Sequence, residues 1–344
     1  MNMTVTRSPF FYVGDKYKLM PQLRQLFPQN ISMYVEPFIG GGSSLLNTNA
    51  KTFWANDIDS NVIKLHRFIS SFSQKPQKLF DLLWDTIEKY ALSCSYKGIT
   101  APESLKKEYP KTYYSHFNKQ GYLQMREDFN SDKDNCILLY LLLIYGFNHM
   151  IRYNASGDFN LPVGNVDFNK NVHCALNDYL AFMRENTVNW FESDYSSFCE
   201  QLPLQTESTY VFCDPPYLIS SSEYNKLWDV ENEKKFYSFL DQLDSRGIKF
   251  GLTNLAFHKG QINRIFIEWA KKYAVYNLES NYISFNDNSI KAGSREFFVT
   301  NYELKQSTLK TILLEDFNDV ERNYNIKDKE SDTNYQPDLF DVNQ

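Results

Sequence analysis

The chain has 344 residues, 42% of them hydrophobic and 16% aromatic, with a formal net charge of −6; that suffices for one large α/β domain with a smaller appended one. Its five cysteines (Cys94, Cys136, Cys174, Cys199, Cys213) lack metal-ligand spacing and read as reduced thiols, which argues against a disulfide-stapled secreted protein. No apolar run reaches membrane-span length and the N-terminus shows no signal-peptide pattern, so the expected location is cytoplasmic.

The charge is uneven. Residues 305–344 carry five basic and nine acidic groups, a net −4, which leaves −2 on the preceding 304 residues. A near-neutral body is compatible with a local basic face, so charge does not exclude a nucleic-acid partner.

In chain order, the sequence predicts a helix over Lys16–Phe27, a strand at Met33–Phe38, a Gly-rich turn, a helix, and a second strand at Thr52–Asn56. A further helix opens near Ser60. From 73 to 186 helical periodicity dominates, with Leu79, Leu82, Leu83, Ile87 and Tyr90 on one face. A polar interruption near 93–112 precedes an apolar helix at 135–145 and an Asn-, Gly- and Asp-rich loop or hairpin at 146–170. Strand–helix alternation then resumes, with strands at Val188–Glu192, Tyr210–Cys213, Lys249–Thr253, Ala274–Leu278 and Phe297–Asn301. Helices are expected near 231–246 and 259–272. The pattern is a parallel-sheet, Rossmann-like α/β domain (1–72 and 187–304) interrupted by a mainly helical insertion (73–186), followed by a polar acidic tail (305–344).

The most informative residues are Asp214-Pro215-Pro216-Tyr217, at the end of the apolar run Tyr210–Cys213. A carboxylate and a proline-fixed carbonyl can accept both hydrogens of an exocyclic amine, and an aromatic ring can stack on the base. Alone, the tetrapeptide also fits a proline-rich turn. Upstream, Glu36-Pro37-Phe38-Ile39-Gly40-Gly41-Gly42-Ser43 joins the first strand to its helix. Its glycines permit close backbone approach to a ligand. The turn matches neither G-x-G-x-x-G nor a P-loop. Asp57, ending the second strand, suits a ribose diol, whereas Asp59 reads as a helix cap. A ribose without a phosphate chain, together with an amine-gripping motif, fits S-adenosylmethionine. None of the five histidines shows ligand spacing, and no metal is expected.

These elements, in this order, resemble the Dam-type (D12 class) DNA N6-adenine methyltransferases over about residues 9–302. The resemblance implies a site-specific enzyme that methylates a flipped-out adenine of duplex DNA in a GATC-like or GAT-containing site. In that likeness Tyr12, Gly14 and Lys16 form the N-terminal cofactor element, with Asp15 standing where the family has glycine. Glu36, Pro37, Phe38, Gly40 and Gly42 form the methionine-side loop, Asp57 the ribose ligand, and Asp194-Tyr195 the adenine-side pair. Asp214, Pro215, Pro216 and Tyr217 are catalytic, and Asp214 also borders the cofactor. Aspartate there favours adenine; serine would suggest cytosine N4 chemistry.

The segment 145–165 resembles the recognition hairpin of the same enzymes. Phe147 would fill the gap left by an extruded base and Asn148 would contact its orphaned partner. Arg152 would read a guanine edge, and Met150 and Pro162 a thymine methyl. Asn154, Asn165 and Arg295 complete the expected DNA contacts. Phe11 stands where some relatives carry a base-reading cation. In the tail, Gln336, Leu339 and Phe340 resemble a sliding-clamp docking peptide. A restriction endonuclease acting on the same site is a further candidate partner. A bacterial or phage origin and a place on the nucleoid are the matching expectations.

Overall fold

A computed structural model describes residues 4–202, 208–220, 228–279 and 295–304. The chain divides into two compact units, Met1–Phe212 and Cys213–Gln344.

The first unit opens with a 3-10 turn (Lys16–Leu19) running into α1 (Met20–Leu26). Pro21 sits in the first turn of α1, where its missing N–H costs nothing. β1 (Ile31–Glu36) leads through the Gly-rich turn to α2 (Ser43–Leu46), a single turn of helix. β2 (Ala50–Asp57) and α3 (Ser60–Ser70) follow. The Asp59 side chain caps α3 by accepting from Asn61 N, as its position predicts.

Five helices come next: α4 (Pro76–Lys89), α5 (Glu103–Glu108), α6 (Tyr113–Ser131), α7 (Cys136–Tyr145) and α8 (Lys170–Glu185). α5 lies inside the stretch expected to be an interruption. α7 is apolar on every side, and Leu138 to Tyr145 are all buried; such a helix is stable only when surrounded by protein. It packs on α3, α4 and α6, while α8 packs on α3. The unit closes with β3 (Val188–Glu192), α9 (Tyr195–Glu200) and β4 (Thr209–Cys213). Its strands run parallel in the order β3-β2-β1-β4. β4 is buried along its whole length, as its continuous apolar sequence requires of an inner strand.

The second unit carries α10 (Val230–Ser245), β5 (Lys249–His258), the short β6 (Gln261–Ile262), α11 (Arg264–Ala270), β7 (Ala274–Leu278) and β8 (Arg295–Thr300). β8 lies between β5 and β7, antiparallel to both. The expectation of parallel strands therefore needs correction here, because the last strand returns between two earlier ones instead of extending the edge. β6 folds back on β5, so the helix expected from 259 starts only at Arg264. Parallel strands alternating with helices in the first unit, and the antiparallel return in the second, make a Rossmann-like α/β fold with a mostly parallel sheet component.

Candidate active site

In the first unit the ends of β1, β2 and β3 are tied by one buried side chain. Asn56 Nδ2 donates to the carbonyls of Pro37 (3.0 Å) and Ser193 (2.9 Å), and its Oδ1 accepts from Ser193 N (3.1 Å). Ile39 N donates to the Asn56 carbonyl at 2.8 Å. The Gly-rich turn is thereby fixed to the strand ends. Asp57 Oδ2 accepts from Gly40 N (2.9 Å) and Oδ1 from Asp59 N (3.0 Å). A carboxylate offers about four acceptor directions, so each oxygen retains capacity for a hydroxyl. Close packing of protein around Asp57 raises its carboxyl to about 6, against the backbone amides of Asp59, Gly40 and Ile58, which favour the charged form.

The N-terminal element meets this turn. Ser8 Oγ donates to the Gly41 carbonyl, and a Cβ on Gly41 would stand 3.1 Å from Tyr12 Cβ. A side chain at Gly41 would press Tyr12 back by a few tenths of an ångström. Lys16, largely buried, donates from Nζ to the Gly14 carbonyl at 3.0 Å. Glu36, also buried, accepts from the hydroxyls of Tyr34 (3.0 Å) and Ser44. Phe38 and Tyr195 bring their rings within 5.4 Å. Asp194 Oδ1 caps α9 by accepting from Ser196 N (2.9 Å) and Ser196 Oγ (2.6 Å).

His66 on α3 was not singled out by sequence, yet it braces the turn. Its Nε2 lies 2.9 Å from the Gly40 carbonyl and its Nδ1 2.9 Å from the Tyr179 hydroxyl. A carbonyl only accepts, so the proton sits on Nε2 and Nδ1 accepts from Tyr179. Burial lowers His66 to about 4, which keeps it neutral in that tautomer through physiological pH. The ring also stacks on Trp190 at 4.6 Å.

In the second unit, Asp214 Oδ1 accepts from the Thr253 hydroxyl (2.7 Å) and lies 2.9 Å from the Tyr217 hydroxyl. That hydroxyl is also 2.7 Å from Glu296 Oε1 on β8. Pro215 and Tyr217 are buried, and Ser220 N closes a turn on the Tyr217 carbonyl at 3.0 Å. The tetrapeptide is thus held at the end of β4 by contacts from β5 and β8.

The segment after α7 forms a hairpin. Phe147 N donates to the Pro162 carbonyl (2.9 Å) and Gly164 N to the Tyr145 carbonyl (2.7 Å). Gly146 bridges Val163, and Tyr153 bridges Phe159. At one end Phe147 is 50% exposed, a large apolar side chain offered to solvent beside left-handed Asn148 (φ 55°) and His149 (φ 49°). Arg152 is pinned by Asn160, with Nε 2.9 Å from Oδ1 and Nη2 2.9 Å from the carbonyl. Asn154 Oδ1 accepts from Ser156 N (3.0 Å) and Asp158 N (2.9 Å) at the far turn. Asn165 accepts from Tyr114 N (2.9 Å) and donates to the Lys111 carbonyl (2.8 Å), so it fastens the start of α6.

Residues 12–283 match the family model of D12 class N6 adenine-specific DNA methyltransferases. The chain belongs to that family. It is 30% identical over 313 residues to the modification methylase StsI of Streptococcus sanguinis, covering 88% of this chain and 44% of that protein. It is also 30% identical to the type II methyltransferase M.FokI of Planomicrobium okeanokoites, over 86% of this chain and 43% of that one. The chain therefore spans less than half the length of these two. A DNA adenine methylase of Escherichia coli K12 is 24% identical over 79% of this chain and 88% of its own.

Set against the expected D12 site, the structure brings Tyr12, Gly14, Lys16, Glu36, Pro37, Gly40, Gly42 and Asp57 together around one turn. It gathers Phe147, Asn148, Met150, Arg152, Asn154 and Pro162 on one hairpin, with Asn165 just past its end. Arg295 opens β8, its guanidinium 5.0 Å from the Phe297 ring centre. The clamp-like residues Gln336, Leu339 and Phe340 lie outside the described residues. Sequence reasoning missed Asn56, His66, Thr253 and Glu296, which act across the fold and carry no local motif. It also missed Arg7, whose guanidinium lies 4.3 Å from the Phe11 ring centre, while Phe11 lies 5.6 Å from His149 of the hairpin. A cation thus stands beside Phe11. No helix among the described residues is long and apolar enough to cross a membrane.

Proposed function

We propose that this chain methylates the N6 amine of an adenine extruded from duplex DNA, using S-adenosylmethionine, within a GAT-containing site. The observation that carries this reading is the Asp214-Pro215-Pro216-Tyr217 tetrapeptide, fixed by hydrogen bonds to Thr253 and Glu296 in a chain of the D12 family. When bound, the cofactor supplies a methyl group on a positively charged sulfur, and the protein's task is alignment.

The Asp214 carboxylate and the Pro215 carbonyl accept the two amine hydrogens, which turns the nitrogen lone pair out of the ring plane. The carboxylate also offsets positive charge growing on that nitrogen. Tyr217 supplies a stacking face for the extruded base. Extrusion costs a few kcal/mol, and exposed Phe147 would offset part of it by filling the gap in the stack. Arg7 and Arg152 supply cations to the same DNA-facing region.

For the cofactor, each Asp57 oxygen already takes one amide and keeps room for one hydroxyl of a ribose diol. Lys16 and Glu36 suit a carboxylate and an ammonium, and the Phe38–Tyr195 pair an adenine ring. The test is label transfer from the cofactor to DNA: an adenine-containing duplex accepts methyl, and an adenine-free duplex does not. Transfer to the adenine-free duplex would overturn the reading.

The Asp57 shift gives a second expectation, of definite sign. Ribose hydroxyls donate to the ionised carboxyl, so cofactor binding favours loss of the Asp57 proton. Affinity is flat above about pH 6 and weakens towards tenfold per unit below it. His66 stays neutral to about pH 4, so it adds nothing in that window. Calorimetric titration between pH 5 and 8 checks this, and an affinity constant down to pH 5 would contradict the role of Asp57.

A further inference from the structure

Tyr217 is the member of the tetrapeptide whose side chain reaches a buried carboxyl on β8. Its hydroxyl stands 2.7 Å from Glu296 Oε1 and 2.9 Å from Asp214 Oδ1. A phenol has one proton and serves only one of those oxygens at a time. The carboxyl of Glu296 is fully buried on β8, and burying such a group is costly unless it is hydrogen-bonded. Its neighbours on β8, Phe297, Phe298 and Val299, are fully buried too, so the backbone carrying it has little freedom to move. Thr253 on β5 reaches Asp214 Oδ1 from a second direction at 2.7 Å. The tetrapeptide is thus fixed through side chains 39 and 79 positions away in sequence.

We propose that Glu296 is a positioning residue for methyl transfer: it holds the Tyr217 hydroxyl, and through it sets the place of the Tyr217 ring and of Asp214 Oδ1. This rests on the methyl-transfer reading above. The hydroxyl stands at the far end of the ring, so its two contacts fix where that end sits and hold the ring at one place beside the extruded base. Misplacing the acceptor by a fraction of an ångström lowers the rate without touching cofactor affinity.

The test uses the full chain, labelled S-adenosylmethionine and an adenine-containing duplex. Single-turnover rates are measured for Glu296→Ala and Glu296→Gln, each with Tyr217 intact and in a Tyr217→Phe background, alongside calorimetric cofactor affinity. Glu296→Ala is expected to lower the transfer rate about 10- to 100-fold, the worth of a hydrogen bond to a charged group, with cofactor affinity within about twofold of the parent. Glu296→Gln, whose amide oxygen still accepts, should recover most of the rate. In the Tyr217→Phe background Glu296→Ala should cost nothing further, since the hydroxyl through which it acts is gone.

A parental rate in Glu296→Ala overturns the inference. So does an equal loss with and without the Tyr217 hydroxyl, which would mark a purely structural role. Should Glu296→Ala fail to fold by thermal melt, Glu296→Asp takes its place: it keeps the charge, withdraws the oxygen by one methylene, and must show the same dependence on Tyr217. A parent that transfers no methyl would overturn the reading of function and this inference with it. An active parent with unaffected variants would overturn the inference alone.

Discussion

Replacing Asp214 with alanine should reduce methyl transfer by at least about 10³-fold while leaving cofactor affinity within a few-fold of the parent. The expectation follows from what the side chain does. An amine conjugated to a purine ring is a poor nucleophile because its lone pair is delocalised, and two acceptors on its hydrogens are needed to turn that pair outward. The Pro215 carbonyl remains in the variant, but one acceptor cannot fix both hydrogens. The charge that offsets the developing positive nitrogen is also lost. A 10³-fold loss corresponds to about 4 kcal/mol, within the range of a single preorganised electrostatic contact in a dry site. Cofactor affinity should survive because Asp57, Lys16, Glu36 and the Gly40–Gly42 turn are held by contacts independent of Asp214. A variant retaining more than about a tenth of the parental rate, measured in single turnover to avoid product release, would remove Asp214 from the mechanism.

The second large effect concerns target choice. Arg152 has five N–H donors, and Asn160 takes Nε and one Nη2 hydrogen at 2.9 Å each. Of the three remaining hydrogens, one on Nη1 and one on Nη2 form a parallel pair at the end of the guanidinium, suited to guanine O6 and N7. Pinning by Asn160 means that little side-chain freedom is lost on contact. Arg152→Ala should therefore lower discrimination for guanine at one position by about 10- to 100-fold, the worth of one bidentate pair. It should weaken binding to all sequences much less. Arg152→Lys should not restore discrimination, since an ammonium cannot present a planar fork. Single-molecule sequencing of DNA from hosts expressing parent and variant reads this directly. An unchanged methylation motif in Arg152→Ala would assign the arginine to the backbone instead.

Much of this was legible in the chain because it is local. The strands at Val188–Glu192 and Ala274–Leu278 fall where their apolar pattern puts them. Asp59 caps its helix through a side chain two residues from its partner. The tetrapeptide and the Gly-rich turn are contiguous and could be recognised as words. What sequence did not reveal is set by pairing across the fold. β1 begins two residues earlier than predicted, because it runs in register with β2 from Ile31 and leaves the sheet at Pro37. β5 extends to His258 because β8 and β6 both pair with it, which no local pattern announces. Glu296 is 79 residues from Tyr217 and His66 is 113 from Tyr179. In sequence each is an unremarkable polar residue in a strand or helix, and only the buried partner gives it a role. Asn165 illustrates the converse: it follows a recognisable hairpin, yet its amide serves the first turn of α6.

The account rests on an adenine amine being the group that receives the methyl. Incubating the purified 344-residue chain with labelled S-adenosylmethionine and GAT-containing duplex DNA, then digesting to nucleosides and separating them by mass, tests this most directly. The account predicts that the label appears on N6-methyladenine and on no other nucleoside. Label on N4-methylcytosine, or no label in a chain shown by calorimetry to bind the cofactor, would contradict it.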